Sequence, residues 1–383
     1  MKLLYCIPAL YNAGGMERVI TEKVNYLSTL AGYEITIVTT DQLGREIRFQ
    51  LNNSINVIHL NIDFDSHLNE KLLSKFLLHK KKLKQYKSEL IQIINRLDID
   101  ICISLCGKEI EFLGELPVKS IKVAEMHFSM NNRKQFILAR HTGPFWNILG
   151  NLRTYQLKKS VRNLDKLIVL ANDDLKQWRK IHKNVLLIPN PNPLSNSTYS
   201  NLKSKRVISV GKLDPQKGYD LLIESWALVA QKHSDWLLDI FGIGEWEGKL
   251  RRRIDELDLS KCINLRGATD DVLSEYLDSS IYVMSSRYEG LPMVLIEAMS
   301  CGLPIVSFDC KCGPRELIKE GINGFLVKPF EIEQLADKIC ELIEDEPLRE
   351  LMGANAQKEV KRFSKLSVMH LWISLFDQLM NVN

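Results

Sequence analysis

The stretch IYVMSSRYEGLPMVLIEAMSCGLPIVSF, residues 281–308, contains the pattern that decides the fold. It opens with an apolar run of strand length, passes through a loop with Gly290 and Pro292 into a segment of helical length, and closes with a second apolar run. Strands that are apolar throughout are covered on both faces, and in a parallel sheet helices supply that cover. The stretch therefore predicts a strand–helix–strand unit of a parallel sheet.

The same alternation of apolar runs and helical segments recurs along the chain. The runs of the first half are KLLYCI, EITIVTT, INVIHL, DICISL, IKVAEM, KLIVL and VLLIP, and those of the second half include RVISVG, WLLDIFG, INLRG and GFLV. Alternating strands and helices predict an α/β protein with two doubly wound, Rossmann-like domains.

The length of the chain also predicts two domains, because 383 residues and 44.1 kDa exceed one ordinary domain. Pro, Asn and Ser concentrate between the two sets of strands, as in a linker. The predicted organisation is an N-terminal domain over 1–190, a linker over 191–205, a C-terminal domain over 206–364, and a C-terminal helix over 365–383 that could pack back on the N-terminal domain.

Composition limits the class of protein. With 45% hydrophobic and 26% charged residues the chain is typical of soluble globular proteins, and no stretch is apolar for long enough to span a bilayer. The eight cysteines are scattered without CxxC spacing, which favours reduced thiols in a cytoplasm over a metal cluster. Residues 1–190 carry a net charge of +10 and the remainder −6, so we expect the halves to face different partners.

Three loops after predicted strands have residues that suit a phosphate. Gly14 and Gly15 precede a predicted helix, and Lys212 and Lys217 flank a proline turn at the start of another. Gly242 follows a predicted strand, but the third glycine of the dinucleotide-binding motif GxGxxG is missing there. Lysines and helix N–H groups that converge on one point would bind a diphosphate. Tight turns and solvated lysines are the alternative explanation.

Two glutamates frame the loop of the opening stretch. Glu289 lies in the loop before the helix that begins near Pro292, and Glu297 lies inside that helix, while the N–H groups of Gly290 and Leu291 face forward. Carboxylates accept hydrogen bonds from sugar hydroxyls. This loop is therefore predicted to bind a ligand that combines hydroxyls with phosphates, unless both carboxylates serve only to brace the helix.

These motifs resemble glycosyltransferase family 4, which are retaining enzymes with the GT-B fold and a cleft between two domains that holds the active site. The resemblance rests on the Glu289–Glu297 pair, on SVGKLDPQKGYDLLIESW, FGIGEWEGKL and NLRGATDDVLSEYLDSS, and on GGMERV near the start. It covers most of the second half and matches the first half more loosely. The chain departs from the family in having Lys212 where arginine is usual, which loses the bidentate fork, and Asn190–Pro191 in place of asparagine–glycine.

The resemblance implies a role for each of these residues. Glu297 would hold the nucleotide ribose, Glu289 the transferred sugar, and Lys212 and Lys217 the diphosphate, which Gly15 would approach from the other domain. His127, at a strand end, would contact the donor sugar; a hydrogen-bonded structural histidine is the alternative. The expected catalytic residues are His127, Lys212, Lys217 and Glu289, and the expected donor-binding residues are Gly14, Gly15, Gly211, Lys212, Lys217, Gly242, Arg266, Glu289, Gly290, Leu291, Pro292 and Glu297.

The implied reaction moves a sugar from a nucleotide sugar, most often UDP-linked in this family, with retention of configuration and without cofactor or metal. Lysines and helix ends can stabilise the leaving diphosphate. The alternative glycosyltransferase architecture holds a divalent ion on a DxD motif. Asp63–Asp65 and Asp98–Asp100 have that spacing, although they also fit a loop and a turn beside predicted strands.

The basic first half would bind the acceptor, a lipid-diphosphate-linked or oligosaccharide chain of a bacterial surface polysaccharide. In LLSKFLLHKKKLKQYK, 72–87, apolar residues adjoin Lys80, Lys81, Lys82, Lys84 and Lys87 on a predicted helix. Such a helix could lie on an anionic membrane at the inner face of the cell, or it could be an ordinary amphipathic helix. A nucleic-acid partner is disfavoured because aromatic residues do not alternate with the lysines. A sugar-nucleotide epimerase of the same fold and a non-catalytic nucleotide-sugar binding protein remain alternatives.

Overall fold

The computed structural model describes residues 1–12, 14–64, 66, 72–194 and 198–381. Asp65 of the DxD motif, residues 195–197 of the predicted linker, and the side chains of Leu72 and Leu73 lie outside the described part. The chain divides into two compact units. Unit 1 comprises Met1–Met130, Asn151–Pro189 and Met369–Asn383, and unit 2 comprises Asn131–Gly150 and Asn190–Val368. Residues 131–150, expected in the N-terminal domain, thus group with the second unit.

Unit 1 is built on a seven-stranded parallel sheet. Its strands are β1 (Lys2–Ile7), β2 (Glu34–Thr39), β3 (Asn56–His59), β4 (Ile101–Ser104), β5 (Ile121–Met126), β6 (Lys166–Val169) and β7 (Val185–Leu187). Their order across the sheet is β3-β2-β1-β4-β5-β6-β7. The order reverses at β1, where the chain turns back and crosses to β4, as in a doubly wound fold.

Unit 2 repeats the design with a six-stranded parallel sheet. Its strands are β8 (Arg206–Val210), β9 (Leu237–Phe241), β10 (Ile263–Gly267), β11 (Ile281–Met284), β12 (Ile305–Phe308) and β13 (Gly324–Val327), in the order β10-β9-β8-β11-β12-β13. The order reverses between β8 and β11, so the loops after these two adjacent strands open at the same edge of the sheet.

Helices connect the strands. The helices that precede β8 in the chain are α1 (Gly15–Ser28), α2 (Leu72–Leu97), α3 (Asn132–Leu138), α4 (Pro144–Ser160) and α5 (Asn172–Trp178). Those that follow are α6 (Tyr219–Lys232), α7 (Glu247–Glu256), α8 (Val272–Leu277), α9 (Met293–Ser300), α10 (Pro314–Leu317), α11 (Ile332–Glu344), α12 (Glu346–Val360) and α13 (Lys365–Asn381). None of the helices in the described ranges is long and apolar enough to cross a bilayer.

Burial explains why the strands read as continuous apolar runs. In β4 and β11 every residue is buried, because helices pack on both faces of each sheet. The covering helices are amphipathic: α6 buries Leu222, Ile223, Trp226 and Val229, which recur at helical spacing. The predicted fold class, an α/β protein with two Rossmann-like parallel-sheet domains, is confirmed.

Candidate active site

Most of the predicted donor residues of the second half lie where β8 and β11 end. The turn from Gly211 to Gly218 follows β8, and the loop from Ser285 to Pro292 follows β11. The two strands are paired neighbours, with Ile281 opposite Val207 and Tyr282 opposite Ile208. Carboxyl ends of adjacent strands at a reversal of strand order are the usual ligand position of this kind of sheet.

The turn after β8 is shaped by Asp214 and Gly218. The Asp214 carboxylate accepts a hydrogen bond from the backbone N–H of Gln216 at 2.9 Å, and Pro215 fixes the intervening φ angle. Gly218 has a left-handed φ of 66° at the start of α6. A Cβ atom there would overlap with the carbonyl oxygen of Ser285, so this position requires glycine.

Arg287 ties the two loops together. Its guanidinium donates to both carboxylate oxygens of Asp220, at 2.9 and 2.7 Å, and to the carbonyl of Pro215 at 2.9 Å. The Ser285 hydroxyl donates to the carbonyl of Lys217 at 3.0 Å. A bidentate arginine–carboxylate pair fixes orientation as well as distance, so the turn after β8 and the loop after β11 form one assembly.

Lys217 and Glu289 meet at the centre of this assembly. The ammonium of Lys217 donates to Oε1 of Glu289 at 2.8 Å, and the side chains are 18% and 7% exposed. Burial lowers the pKa of Lys217, but the attraction of Glu289 outweighs it, so the net pKa is raised. Lys217 is therefore a cation at neutral pH, positioned to bind an anion, and Glu289 faces it as a carboxylate.

Glu297 lies within α9 and is equally buried, with 7% of its surface exposed. Its Oε2 accepts a hydrogen bond from the Tyr276 hydroxyl at 3.0 Å. Burial, and then the charge of Glu297, raise the pKa of Tyr276 well above its ordinary value. Tyr276 consequently stays protonated and orients the carboxylate, which can accept from hydroxyl groups of a ligand.

The start of α9 completes this side of the site. Within the described part of the chain, the N–H groups of Gly290 and Leu291 have no hydrogen-bond acceptor, and Pro292 caps the helix without donating. Gly313, with φ of 91°, packs so closely on the Gly290 carbonyl that a Cβ atom would overlap with it. Free amides at a helix start suit a phosphate or another anion.

The other predicted donor residues of unit 2 divide into two groups. Gly211 and Gly242 lie in contact, since a Cβ atom on Gly242 would overlap with the Gly211 carbonyl, and Lys212 is exposed on the same turn. Arg266 belongs to a different cluster: it donates to buried Asp239 at 3.0 and 3.3 Å. That cluster borders a cavity of about 340 Å³ lined by Arg206, Leu237, Asp239, Phe241, Arg266 and Glu275.

In unit 1, the glycine pair lies at the start of α1. Gly14 caps the helix with extended φ and ψ, and Gly15 is its first residue. The Glu17 carboxylate folds over this end, where Asn12 donates to it at 3.2 Å, and a Cβ atom on Gly14 would overlap with that carboxylate. The glycine thus allows a carboxylate of the chain itself to occupy the helix start.

His127 follows β5 in unit 1 and lies beside a buried carboxylate. Its Nε2 is 3.2 Å from Oε1 of Glu125, without the alignment of a hydrogen bond. Glu125 also pairs with Lys23 of α1, whose ammonium lies 3.9 Å from the Trp372 ring centroid. Burial alone would raise the pKa of Glu125, but Lys23 and then His127 lower it to about 2. Glu125 is therefore ionised at neutral pH, between the Lys23 ammonium and the His127 ring.

The sequence interpretation missed the residues that hold the site together. Arg287 joins Asp220 to the carbonyl of Pro215, and Tyr276 donates to Glu297. Lys23 and Glu125 form their pair over 102 positions of sequence. A charged residue inside an otherwise apolar strand is the signal that could have indicated Glu125, since a buried charge needs a partner. No spacing rule indicates the other four.

No group of His, Cys, Asp or Glu in the described ranges is arranged to hold a metal ion. Of the two DxD motifs, Asp100 accepts from the Lys2 N–H at 2.7 Å and ties the start of β1, and Asp65 lies outside the described residues. A metal requirement is therefore tested on the activity itself, by treatment with EDTA.

Comparison with known proteins identifies the family. Residues 193–359 match the family described as "Glycosyl transferases group 1". An uncharacterized glycosyltransferase of Haemophilus influenzae is 31% identical over 352 residues, which cover 91% of this chain and 92% of that protein. The poly(ribitol-phosphate) alpha-N-acetylglucosaminyltransferase of Staphylococcus aureus is 31% identical over 196 residues, 51% of this chain and 40% of that protein.

Solved structures share the fold. A mutant of TarM from S. aureus, in complex with fondaparinux, alpha-GlcNAc-glycerol and UDP, matches with a TM-score of 0.76 at 18% identity and covers 98% of this chain and 99% of its own. The fold is that of the GT-B glycosyltransferases. By its similarity over nearly the full length to the H. influenzae protein, the chain belongs to the glycosyltransferases, and residues 193–359 are its group 1 domain.

Proposed function

We propose that the protein is a retaining glycosyltransferase that moves a sugar from a UDP-sugar to a glycan or lipid-linked acceptor in the synthesis of a bacterial surface polysaccharide. The observation that carries this proposal is the cluster at the ends of β8 and β11: two buried carboxylates, the half-buried Lys217, and the free N–H groups of Gly290 and Leu291 just before α9. UDP in the TarM complex supports the choice of nucleotide, and the poly(ribitol-phosphate) relative from S. aureus supports the class of product.

In this proposal each part of the cluster meets one part of the donor. The N–H groups of Gly290 and Leu291 and the Lys217 ammonium bind the diphosphate and stabilise the charge that grows on it as the bond to the sugar breaks. Lys212, exposed on the same turn, adds a second cation. Glu297, oriented by Tyr276, accepts from the ribose hydroxyls. Glu289 accepts from hydroxyls of the transferred sugar once the diphosphate takes over Lys217.

The acceptor proposal rests on the basic character of the first half. Lys80, Lys81 and Lys84 are exposed along α2, and Phe76 and Leu77 are exposed at its start. We infer that residues 72–87 hold the protein at an anionic membrane on the cytoplasmic side, where a lipid-linked acceptor would be found.

The proposal is tested by incubating the protein with UDP-GlcNAc, UDP-glucose and GDP-mannose, with and without membrane lipid extract or polyribitol phosphate as acceptor. Acceptor-dependent release of UDP, with a product whose anomeric proton coupling matches that of the donor, is the expected result. Inversion of the coupling would contradict retention. Interconversion of the sugar nucleotide without acceptor would instead identify an epimerase.

A further inference from the structure

The segment Asn131–Gly150 lies between β5 and β6 in the chain but belongs to unit 2, and it supplies that unit with Arg140. Nη2 of Arg140 donates to Oε1 of Glu245, in the loop after β9, at 3.0 Å, and its Cζ lies 4.0 Å from the centroid of the Phe136 ring. Because the guanidinium is planar and rigid, these two contacts also fix the position of its other terminal nitrogen, Nη1.

Two buried polar atoms meet beside this contact. Nη1 of Arg140 and the hydroxyl of Tyr288 are both buried, and neither has a hydrogen-bond partner within the described ranges. Tyr288 as a whole is 3% exposed. A buried polar group without a partner costs free energy, so two of them together indicate a position where a ligand supplies the partner.

Both atoms are hydrogen-bond donors. Burial, and then the charge of Asp214, raise the pKa of Tyr288 to about 12, although the charge of Arg140 opposes the rise. The phenol is therefore protonated at neutral pH and can donate, as the guanidinium does. Two neighbouring donors, one of them charged, suit an acceptor oxygen that carries negative charge.

Gln216 connects this position to the proposed donor site. Its side-chain Nε2 lies 3.1 Å from the Tyr288 carbonyl and 3.5 Å from Oε2 of Glu289, which is itself paired with Lys217. Arg140 and these four residues all belong to unit 2. An anion held there would therefore lie beside the carboxylate that is proposed to bind the transferred sugar.

The neighbouring carboxylates do not cancel the charge of Arg140. Asp214 accepts from two backbone N–H groups at 2.9 and 3.4 Å, and Glu289 is paired with Lys217. The Glu245 side chain is 56% exposed, so water screens its attraction for Arg140. A neutral sugar hydroxyl could accept from the same two donors, but it would leave the charge of the guanidinium uncompensated.

We propose that Nη1 of Arg140 and the hydroxyl of Tyr288 form a subsite for an oxyanion, a carboxylate or a phosphate, on a sugar substrate. The ligand is a substrate of sugar transfer, so the subsite rests on the proposed function. Its oxyanion is separate from the donor diphosphate, which meets Lys217 and the N–H groups of Gly290 and Leu291. The oxyanion comes from one of two sources: a carboxylate at C6 of the transferred sugar, or a phosphate of the acceptor.

The first source is tested by calorimetry with UDP-glucuronate and UDP-glucose, which differ only in a carboxylate at C6 of the sugar. If the transferred sugar carries the oxyanion, the wild type should bind UDP-glucuronate more tightly by about tenfold or more. Arg140→Gln and Tyr288→Phe should remove this preference and leave the affinity for UDP unchanged. The matched control, Arg251→Gln, should keep the preference, because Arg251 also pairs with an exposed glutamate at 3.0 Å.

The second source is tested by thermal unfolding without a nucleotide. If the acceptor carries the oxyanion, glycerol 3-phosphate should raise the melting temperature of the wild type and of Arg251→Gln but not of Arg140→Gln, and glycerol should raise none of them. The subsite is refuted if the wild type neither prefers UDP-glucuronate nor responds to glycerol 3-phosphate. It is also refuted if the Arg140 and Tyr288 variants lose affinity for UDP and UDP-glucuronate equally, because the oxyanion would then belong to the diphosphate.

Folding is separated from binding by Tyr288→Phe. Since this substitution removes a buried hydroxyl that has no partner in the described part of the chain, the melting temperature without ligand should equal or exceed that of the wild type. A lower melting temperature would show that the fold itself uses the hydroxyl, and would overturn the proposal. Anion binding that depends on Arg140, without any sugar transfer, would refute the proposed function alone.

Discussion

At the scale of single residues, the proposed site depends on how two glutamates differ in their partners. Glu289 faces Lys217 at 2.8 Å, whereas Glu297 accepts from Tyr276 at 3.0 Å. The first carboxylate is paired with a cation that a diphosphate can take over, and the second is fixed by a neutral donor. We therefore expect the two to affect different kinetic constants.

Glu297→Gln should raise the donor KM and weaken binding of UDP itself, because the ribose does not change in the reaction. Glu289→Gln should lower kcat and leave UDP affinity nearly unchanged. A charged hydrogen bond of about 1.5 to 3 kcal/mol corresponds to roughly tenfold to a hundredfold in either constant. Calorimetry measures the UDP affinity of each variant, and steady-state kinetics measure its donor KM and kcat. Equal effects on UDP affinity would contradict the division of roles, and a lower melting temperature with unchanged kinetics would show that both residues only brace α9.

The pair of Lys23 and Glu125 leads to a prediction about stability. Glu125→Gln leaves a buried lysine without its countercharge, which should lower the free energy of unfolding by about 3 to 5 kcal/mol. Replacing both residues by methionine should cost much less, because no buried charge remains. Urea denaturation of the three proteins measures this. A single variant as stable as the wild type would show that the charge is not buried in solution.

The same pair has a defined pH dependence. The pKa of Glu125 in the folded protein is about 2, which is below the pKa of this carboxyl group in the unfolded chain. The ionised carboxylate therefore stabilises the folded protein fully at pH values above the pKa of the unfolded chain. This stabilisation is lost as the pH falls towards 2.

At the scale of elements, Arg287 joins the loop after β11 to the turn after β8. Arg287→Ala should loosen both loops together and weaken UDP binding by roughly tenfold, although Arg287 is not one of the proposed ligands. Arg251→Ala serves as the control, because Arg251 is also paired with a carboxylate, Glu247 at 3.0 Å, but is exposed on α7. Isothermal calorimetry compares the two variants. Equal UDP affinities would mean that the loops keep their positions without Arg287.

The elements themselves could be predicted from the sequence, and the contacts between them could not. Apolar runs of strand length, such as IKVAEM, indicate strands because both faces of a parallel sheet are buried. The loop of Glu289 was found because Gly, Pro and Glu have strong local preferences. Arg287 and Lys23 reach their partners across the fold through long side chains, and the spacing of residues in the sequence does not indicate which partner such a side chain contacts. For the same reason the sequence did not indicate that Arg266, a predicted donor residue, donates to Asp239.

At the scale of the whole molecule, the proposed chemistry uses the cations and helix amides of the chain in place of a metal. Activity should therefore survive dialysis against EDTA, and UDP should still stabilise the treated protein. At 100 times its Kd a ligand adds about 2.7 kcal/mol to the free energy of unfolding. Thermal unfolding with and without EDTA measures this. Loss of activity that only Mn²⁺ or Mg²⁺ restores would favour the DxD interpretation of Asp63 and Asp65.

Neither unit is a contiguous piece of the chain, because unit 1 takes up Met369–Asn383 and unit 2 takes up Asn131–Gly150. A protease that cuts once after Pro189 would not release two finished domains. The fragment 1–189 would lack Trp372, whose ring covers the Lys23 ammonium, and the fragment 190–383 would retain a helix whose packing partners are on the other fragment. The nicked protein should thus persist as two complementary fragments, each needing the other to complete its fold.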